Sequence, residues 1–282
     1  MATAETLQAE ARERPRMAIV AIVAGVFTLL GSLVGRIAAG APPSNLPAAL
    51  LFYHDNQGSQ LVAAACSVVG AIAIAFVLDF LYRATRARNP QLPWQIRPLP
   101  WIGGIGVAVF TVAYQIALAV NVNRFATQGS QTYEEARKAV DAGVPPLFGL
   151  FVQLALALAI VMISINAMRV GLLTCFLGYL GVISGVLFVL AFVPIPIVQV
   201  YWLGALAMLF AGRSPSGVPP AWQSGEAVPW PSPAEMREQR VRDAEARRGE
   251  GGGDVVEGAA ASEPADEPAT TPAAKRKKRK RR

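Results

Sequence analysis

The chain has 282 residues, 53% of them hydrophobic and 16% charged, with a formal net charge of +7. A single histidine and two cysteines leave too few ligands for a zinc, haem or iron-sulfur site. The apolar residues gather into six stretches within the first 212 positions, each about as long as ~30 Å of hydrocarbon requires, so the composition excludes an ordinary soluble domain and predicts an integral membrane protein.

Residues 1–16 are polar and rich in Ala, Glu and Arg, and they read as a short surface helix or a disordered segment, with Pro15 just ahead of the first span. That span is predicted over 17–39. Arg12, Arg14 and Arg16 before an apolar run also suit a secretory signal, but Met17 to Gly35 is a 19-residue run without charge, longer than the roughly 7–15 residues of a signal core, so it reads as an anchor. Residues 40–58 form the first connecting loop, a turn marked by Pro42, Pro43 and Asn45, with Leu50, Leu51, Phe52 and Tyr53 placed at the interface. The second span covers 59–82 and the third 101–122. Between them lies a basic loop broken by prolines, with Trp94 and Trp101 as interfacial anchors.

In the loop 123–143, Thr132 and Glu135 have the S/T-x-x-E spacing of a capping box and predict a short helix. The fourth, fifth and sixth spans are predicted over 144–166, 171–192 and 194–212. Only Val193-Pro194-Ile195-Pro196 joins the last two, which makes them antiparallel neighbours. Beyond 212 a polar tail, 213–282, is expected to be mostly disordered. It holds a short helix at about 233–248, started by Ser232-Pro233-Ala234-Glu235 and supported by Glu238 before Arg242. The tail ends in eight consecutive cations: Lys275, Arg276, Lys277, Lys278, Arg279, Lys280, Arg281 and Arg282.

Orientation follows from the cations near the span ends. Nine (Arg12, Arg14, Arg16, Arg83, Arg86, Arg88, Arg97, Arg169 and Arg213) fall on one side, and four (Arg36, Arg124, Arg137 and Lys138) on the other. Both termini are therefore expected in the cytoplasm of a multi-pass plasma or inner membrane protein. Cys66 and Cys175 sit at different depths and read as inert core thiols.

Ionisable groups inside hydrocarbon are functional candidates by default, but this chain offers few. Asp79 and Arg83, four residues apart near a span end, read more simply as an interfacial ion pair than as a proton relay. Gln115 and Gln153 lie at similar depths and can hydrogen-bond as packing glue. With Gln199 as a third member they would outline a small polar cavity. Gly178, Gly181 and Gly185, with Gly31 and Gly35, have the small-xxx-small spacing of close helix packing, within the chain or between copies in a homo-oligomer. Gly103-Gly104-x-Gly106 lacks the strand context and the later glycine of a nucleotide-binding fingerprint. The basic terminus is suited to anionic lipid headgroups or to RNA, including the ribosome, through phosphates.

Tyr53-His54-Asp55-Asn56-Gln57-Gly58, followed by a long apolar helix ending Leu78-Asp79-Phe80-Leu81-Tyr82-Arg83-Ala84-Thr85-Arg86-Ala87-Arg88, resembles a pattern in uncharacterised bacterial polytopic membrane proteins. The likeness covers about 35 residues; it implies a helical bundle and carries over no functional residue. A polytopic core with a basic cytoplasmic tail is also similar in outline to membrane-protein insertases, although their groove arginine and cytoplasmic helical hairpin have no counterpart here.

The sequence thus predicts an all-α bundle of six transmembrane helices, 17–212, between a cytoplasmic segment 1–16 and the tail. With no nucleophile beside a base and no carboxylate cluster, the expected role is a non-enzymatic interaction or scaffold component whose tail contacts acidic partners. The alternative is a small-solute transporter or channel using Gln115, Gln153 and Gln199. No cofactor is implied.

Overall fold

A computed structural model of the chain describes residues 4–37, 40, 43–141, 143, 145–190, 196–215, 217–230 and, in the tail, 235, 237, 238 and 240–243. The cap at Ser232, the cations Lys275 to Arg282, most of the 191–196 hairpin and the side chain of Arg36 lie outside the described residues. Every regular element among those residues is helical: α1 Ala4–Ile37, α2 Leu46–Asp55, α3 Gln57–Arg88, a 3-10 turn Trp94–Ile96, α4 Leu99–Gln128, α5 Tyr133–Val140, α6 Pro146–Arg169, α7 Cys175–Leu190, α8 Ile197–Phe210 and α9 Ala221–Ser224.

Four of these helices, α1, α3, α4 and α6, are long and apolar enough to cross a membrane. The fifth and sixth predicted spans correspond to α7 and α8, apolar but only 16 and 14 residues long. The shortening of α7 has a local cause. Gly171 takes a left-handed φ of +76° after α6, and Thr174 then caps the new helix, its Oγ1 accepting from the Leu177 N–H at 3.3 Å.

Two segments differ from expectation. Helix α1 runs unbroken through Pro15 for 34 residues, about 51 Å at 1.5 Å per residue, because its first turns pack on α3 and do not hang free. The first loop contains a ten-residue helix, α2, where a turn was expected. Helix α5 begins as predicted, the Glu135 N–H bonding to Thr132 Oγ1 at 3.5 Å.

The four long helices and the shorter α7 and α8 form a ring in chain order. Each of α1, α3, α4, α6 and α7 packs on the next, α8 closes onto α1, and α3 touches α6 across the middle. We call the end holding the start of α1 and the finish of α8 basal, and the end holding α2 and α5 distal. Glycines set the spacing: a methyl at Gly103 would stand 2.5 Å from the Leu156 backbone nitrogen, and one at Gly106 2.5 Å from the Val152 side chain, so α4 lies almost backbone to backbone on α6. Gly31 and Gly70 admit Ser67 and Thr28 between α1 and α3, while Gly178, Gly181 and Gly185 admit Met168, Ser164 and Val161 between α7 and α6. These small residues are covered by the chain's own helices.

The outer face of the ring is apolar and exposed, with Ile22, Val26, Ile105, Val109, Val112, Leu154, Leu158, Ile183 and Val186 all open to the surroundings, the pattern of a lipid-facing belt. Inside, the larger core cluster fills the basal half around Leu78, Leu81, Trp202, Leu206 and Phe210. A smaller one joins α2, α4 and α5 distally through Leu50, Val122, Phe125 and Ala136. The compact unit extends to Trp230, eighteen residues beyond the boundary expected at 212. In the separate unit that follows, Glu238 and Arg242 stand 3.9 Å apart on an exposed helical segment.

Candidate functional site

At the basal end a strap, residues 217–230, folds back under the bundle. The Trp222 indole N–H donates to the Leu172 carbonyl at 2.9 Å, the Trp230 indole to Leu173 at 2.8 Å, and the Val228 N–H to Val170 at 3.1 Å. Gly171 lies directly against the Val228 carbonyl, where a side chain has no room. Three otherwise open carbonyls of the α6–α7 turn are thereby satisfied.

Arg88 anchors this strap to α1. Its guanidinium, fully shielded, is bidentate to Glu10 at 2.8 and 2.9 Å and also donates to the carbonyls of Ala84 and Ala221, both at 2.8 Å. Trp222 stands between two cations, with Arg14 4.9 Å and Arg88 5.4 Å from its ring centroid, and packs on Phe80 and Phe210. The predicted pair is present beside this cluster: Arg83 Nε meets Asp79 Oδ2 at 3.0 Å, and Glu13 joins at 3.3 Å from the other side. Half-exposed Arg83 makes this a weak surface contact.

Sequence reasoning counted Arg14 and Arg88 only as orientation signals and overlooked Glu10 and Trp222. The available signal was two tryptophans in a proline-rich segment just after the last span, because such large amphipathic rings seldom occur in chain that packs against nothing.

The distal half of the ring holds a different feature, a partly open cavity of about 270 Å³. All six helices of the ring contribute: α1 gives Thr28 and Ser32, α3 Ser67, α4 Val107, α6 Leu156, α7 Ser184 and α8 Gln199. Gln199 and Ser184 are 4% and 1% exposed, and neither Gln199 Nε2 nor Ser184 Oγ has a hydrogen-bond partner among the described residues. The hydroxyl of Ser32 donates to the Thr28 carbonyl at 3.0 Å and that of Ser67 to Ala63 at 2.9 Å.

The three predicted amides do not meet. Gln199 lines the cavity, and neither Gln115 nor Gln153 does. Gln115 Oε1 instead accepts from the Tyr53 hydroxyl at 2.5 Å, bringing α2 onto α4. Burial beside Tyr114 pushes the Tyr53 phenol up from its ordinary pKa, which keeps it a neutral donor. Gln153 is half-buried on α6. Equal depth along two helices does not imply facing sides, because rotation about each helix axis is set by packing, here by Gly103 and Gly106 against Leu156 and Val152.

Compared with family models, with curated proteins and with solved structures, the chain matches none.

Proposed function

We propose that the chain crosses a cell membrane six times with both termini in the cytoplasm, and that it acts as a non-enzymatic platform holding a basic tail at the cytoplasmic surface. The observation that carries this reading is the strap. Residues up to Trp230 are bonded to the base of the bundle, so residues 231–282 start from a fixed point close to the headgroups. Eight cations at the end of that tether find anionic lipid at hand, at about 1 kcal/mol per Lys or Arg near such a surface. RNA and the ribosome offer the same phosphate chemistry but must first be recruited. Short α7 and α8 complete six crossings if the bilayer thins locally or their hairpin supplies the missing turn. The resemblance over 53–88 agrees with a polytopic bundle and adds no activity.

The full-length protein in neutral nanodiscs is expected to capture anionic vesicles at low salt and release them at several tenths molar, on the order of a 4–6 Å screening length. A chain ending at Ala274 is expected not to capture them. Salt-resistant binding, or capture by the shortened chain, contradicts the reading. Orientation is tested in intact cells: in a background without Cys66 and Cys175, an impermeant thiol reagent should label Gln128→Cys and leave Trp94→Cys untouched.

A second reading, a small-solute transporter or channel, is favoured by the distal cavity. Its polar set is Gln199 with Thr28, Ser32, Ser67 and Ser184, in place of the three amides anticipated from sequence.

A further inference from the structure

We propose that the distal cavity is a binding site for a small neutral molecule that presents a carbonyl or ether oxygen on an apolar body. The inference stands apart from the tail and from which way the bundle faces; it rests on what the cavity wall can and cannot do.

Among the described residues the wall carries no charged side chain. A carboxylate or phosphate would lose its hydration there with no cation in exchange, and an ammonium would find no carboxylate, so ions of either sign are disfavoured. The unmet need is for an acceptor. Gln199 Nε2 carries two protons and can only donate, and neither it nor Ser184 Oγ finds a partner among the described residues, although both are more than nine-tenths buried. A buried donor left unpaired is expensive. Ser32 and Ser67 give their protons to helix carbonyls and keep lone pairs free, but neither oxygen accepts from Gln199 Nε2 or Ser184 Oγ. An incoming oxygen that accepts from Gln199 or Ser184 answers this need, and the remaining wall is greasy: Ile74, Val107, Leu156, Leu187 and Phe188.

Size narrows the class further. A cavity of about 270 Å³ exceeds the ~150 Å³ that holds a benzene ring and falls just under the ~300 Å³ where drug-sized sites begin. One or two rings, or a short branched chain, fit. Water is the rival occupant, because the site is polar enough to hold it.

Benzophenone serves as the probe, being a neutral diaryl ketone that inserts into neighbouring C–H bonds under near-ultraviolet light. Full-length protein in nanodiscs is illuminated with it, and the adducts are located by peptide mass spectrometry. The proposal predicts adducts on Leu156, Phe188 and their cavity neighbours. It also predicts suppression of those adducts by excess acetophenone but not by ethylbenzene, which has the same ring without the carbonyl. Labelling should fall about tenfold in Gln199→Leu, as expected for loss of one hydrogen bond to a buried donor, and remain unchanged in Gln153→Leu. Adducts confined to belt residues such as Ile105 and Leu154, equal competition by ethylbenzene, or full labelling in a folded Gln199→Leu variant would each overturn it. A cavity that holds water only gives the first of these results. Should Gln199→Leu fail to fold, the acetophenone and ethylbenzene arms on the unaltered protein decide the matter.

Discussion

At the basal end, Leu78, Leu81, Trp202, Leu206 and Phe210 meet across the ring with at most 2% of their surface open. Toward the distal end the same six helices surround a cavity of about 270 Å³ fringed by Thr28, Ser32, Ser67, Ser184 and Gln199. The helices are continuous between the two levels, so the difference lies in the side chains they present to the axis. Large rings and branched chains close the lower level, and a strap seals it with Trp222 and the Arg88–Glu10 pair. Hydroxyls, one amide and Ala71 leave the upper level open. A bundle in a membrane gains little from apolar burial between its helices, since lipid is equally apolar. Shape fit and hydrogen bonding therefore set stability, and a region that forgoes both is under a different constraint.

Substitutions can break or sharpen this contrast. The largest effect is expected where backbones touch: Gly103→Leu drives a side chain into the Leu156 backbone, and a loss at or above ~3 kcal/mol should leave little folded protein by size-exclusion chromatography. Gly204→Ala on α8, where a methyl meets nothing within 4 Å, should be neutral or stabilising by up to ~1 kcal/mol.

Next comes the strap. Glu10→Ala abandons the fully shielded Arg88 guanidinium and should destabilise by about 3–5 kcal/mol, read as a fall in melting temperature in detergent. The pair Glu10→Leu with Arg88→Met, which removes both charges, should recover a large part of that loss. If the double substitution is as harmful as the single one, the hydrogen bonds of Arg88 to the Ala84 and Ala221 carbonyls matter more than its charge.

In the distal half the sign should reverse. Gln199→Leu deletes an unpaired buried donor and should leave stability unchanged or raise it by up to ~1 kcal/mol. The smallest effect belongs to Asp79→Asn. Its partner Arg83 is half-exposed and keeps Glu13, so the change should stay below ~1 kcal/mol and shrink further in high salt.

Much of the fold is legible in the residues. Uncharged runs of about 20 residues locate the long helices because hydrocarbon thickness fixes their length. The Thr132–Glu135 spacing marks α5, and Asp79 and Arg83 meet because i and i+4 share a helix face. What escapes depends on packing partners distant in sequence. Nothing local distinguishes Arg88 from Arg86, yet the first lies fully shielded beneath Trp222 while the second donates to the Tyr82 hydroxyl. The prolines after Gly212 read as loose chain, whereas they shape a strap whose carbonyl partners lie about 50 residues earlier. Among the amides, depth can be counted along each helix, but facing cannot, and only Gln199 turns to the axis.

The central claim, a solid basal half beneath a hollow distal one, is tested most directly by one substitution made one turn apart on the same face of α3. Ala71 lines the cavity, while Ala75 is fully buried against Gly104. Melting temperatures of Ala71→Leu and Ala75→Leu in the same detergent should differ sharply. The account predicts that Ala71→Leu stays within ~1 kcal/mol of the unaltered protein because the added atoms enter empty space, and that Ala75→Leu loses about 3 kcal/mol or more by overpacking. Equal losses at the two positions would contradict it.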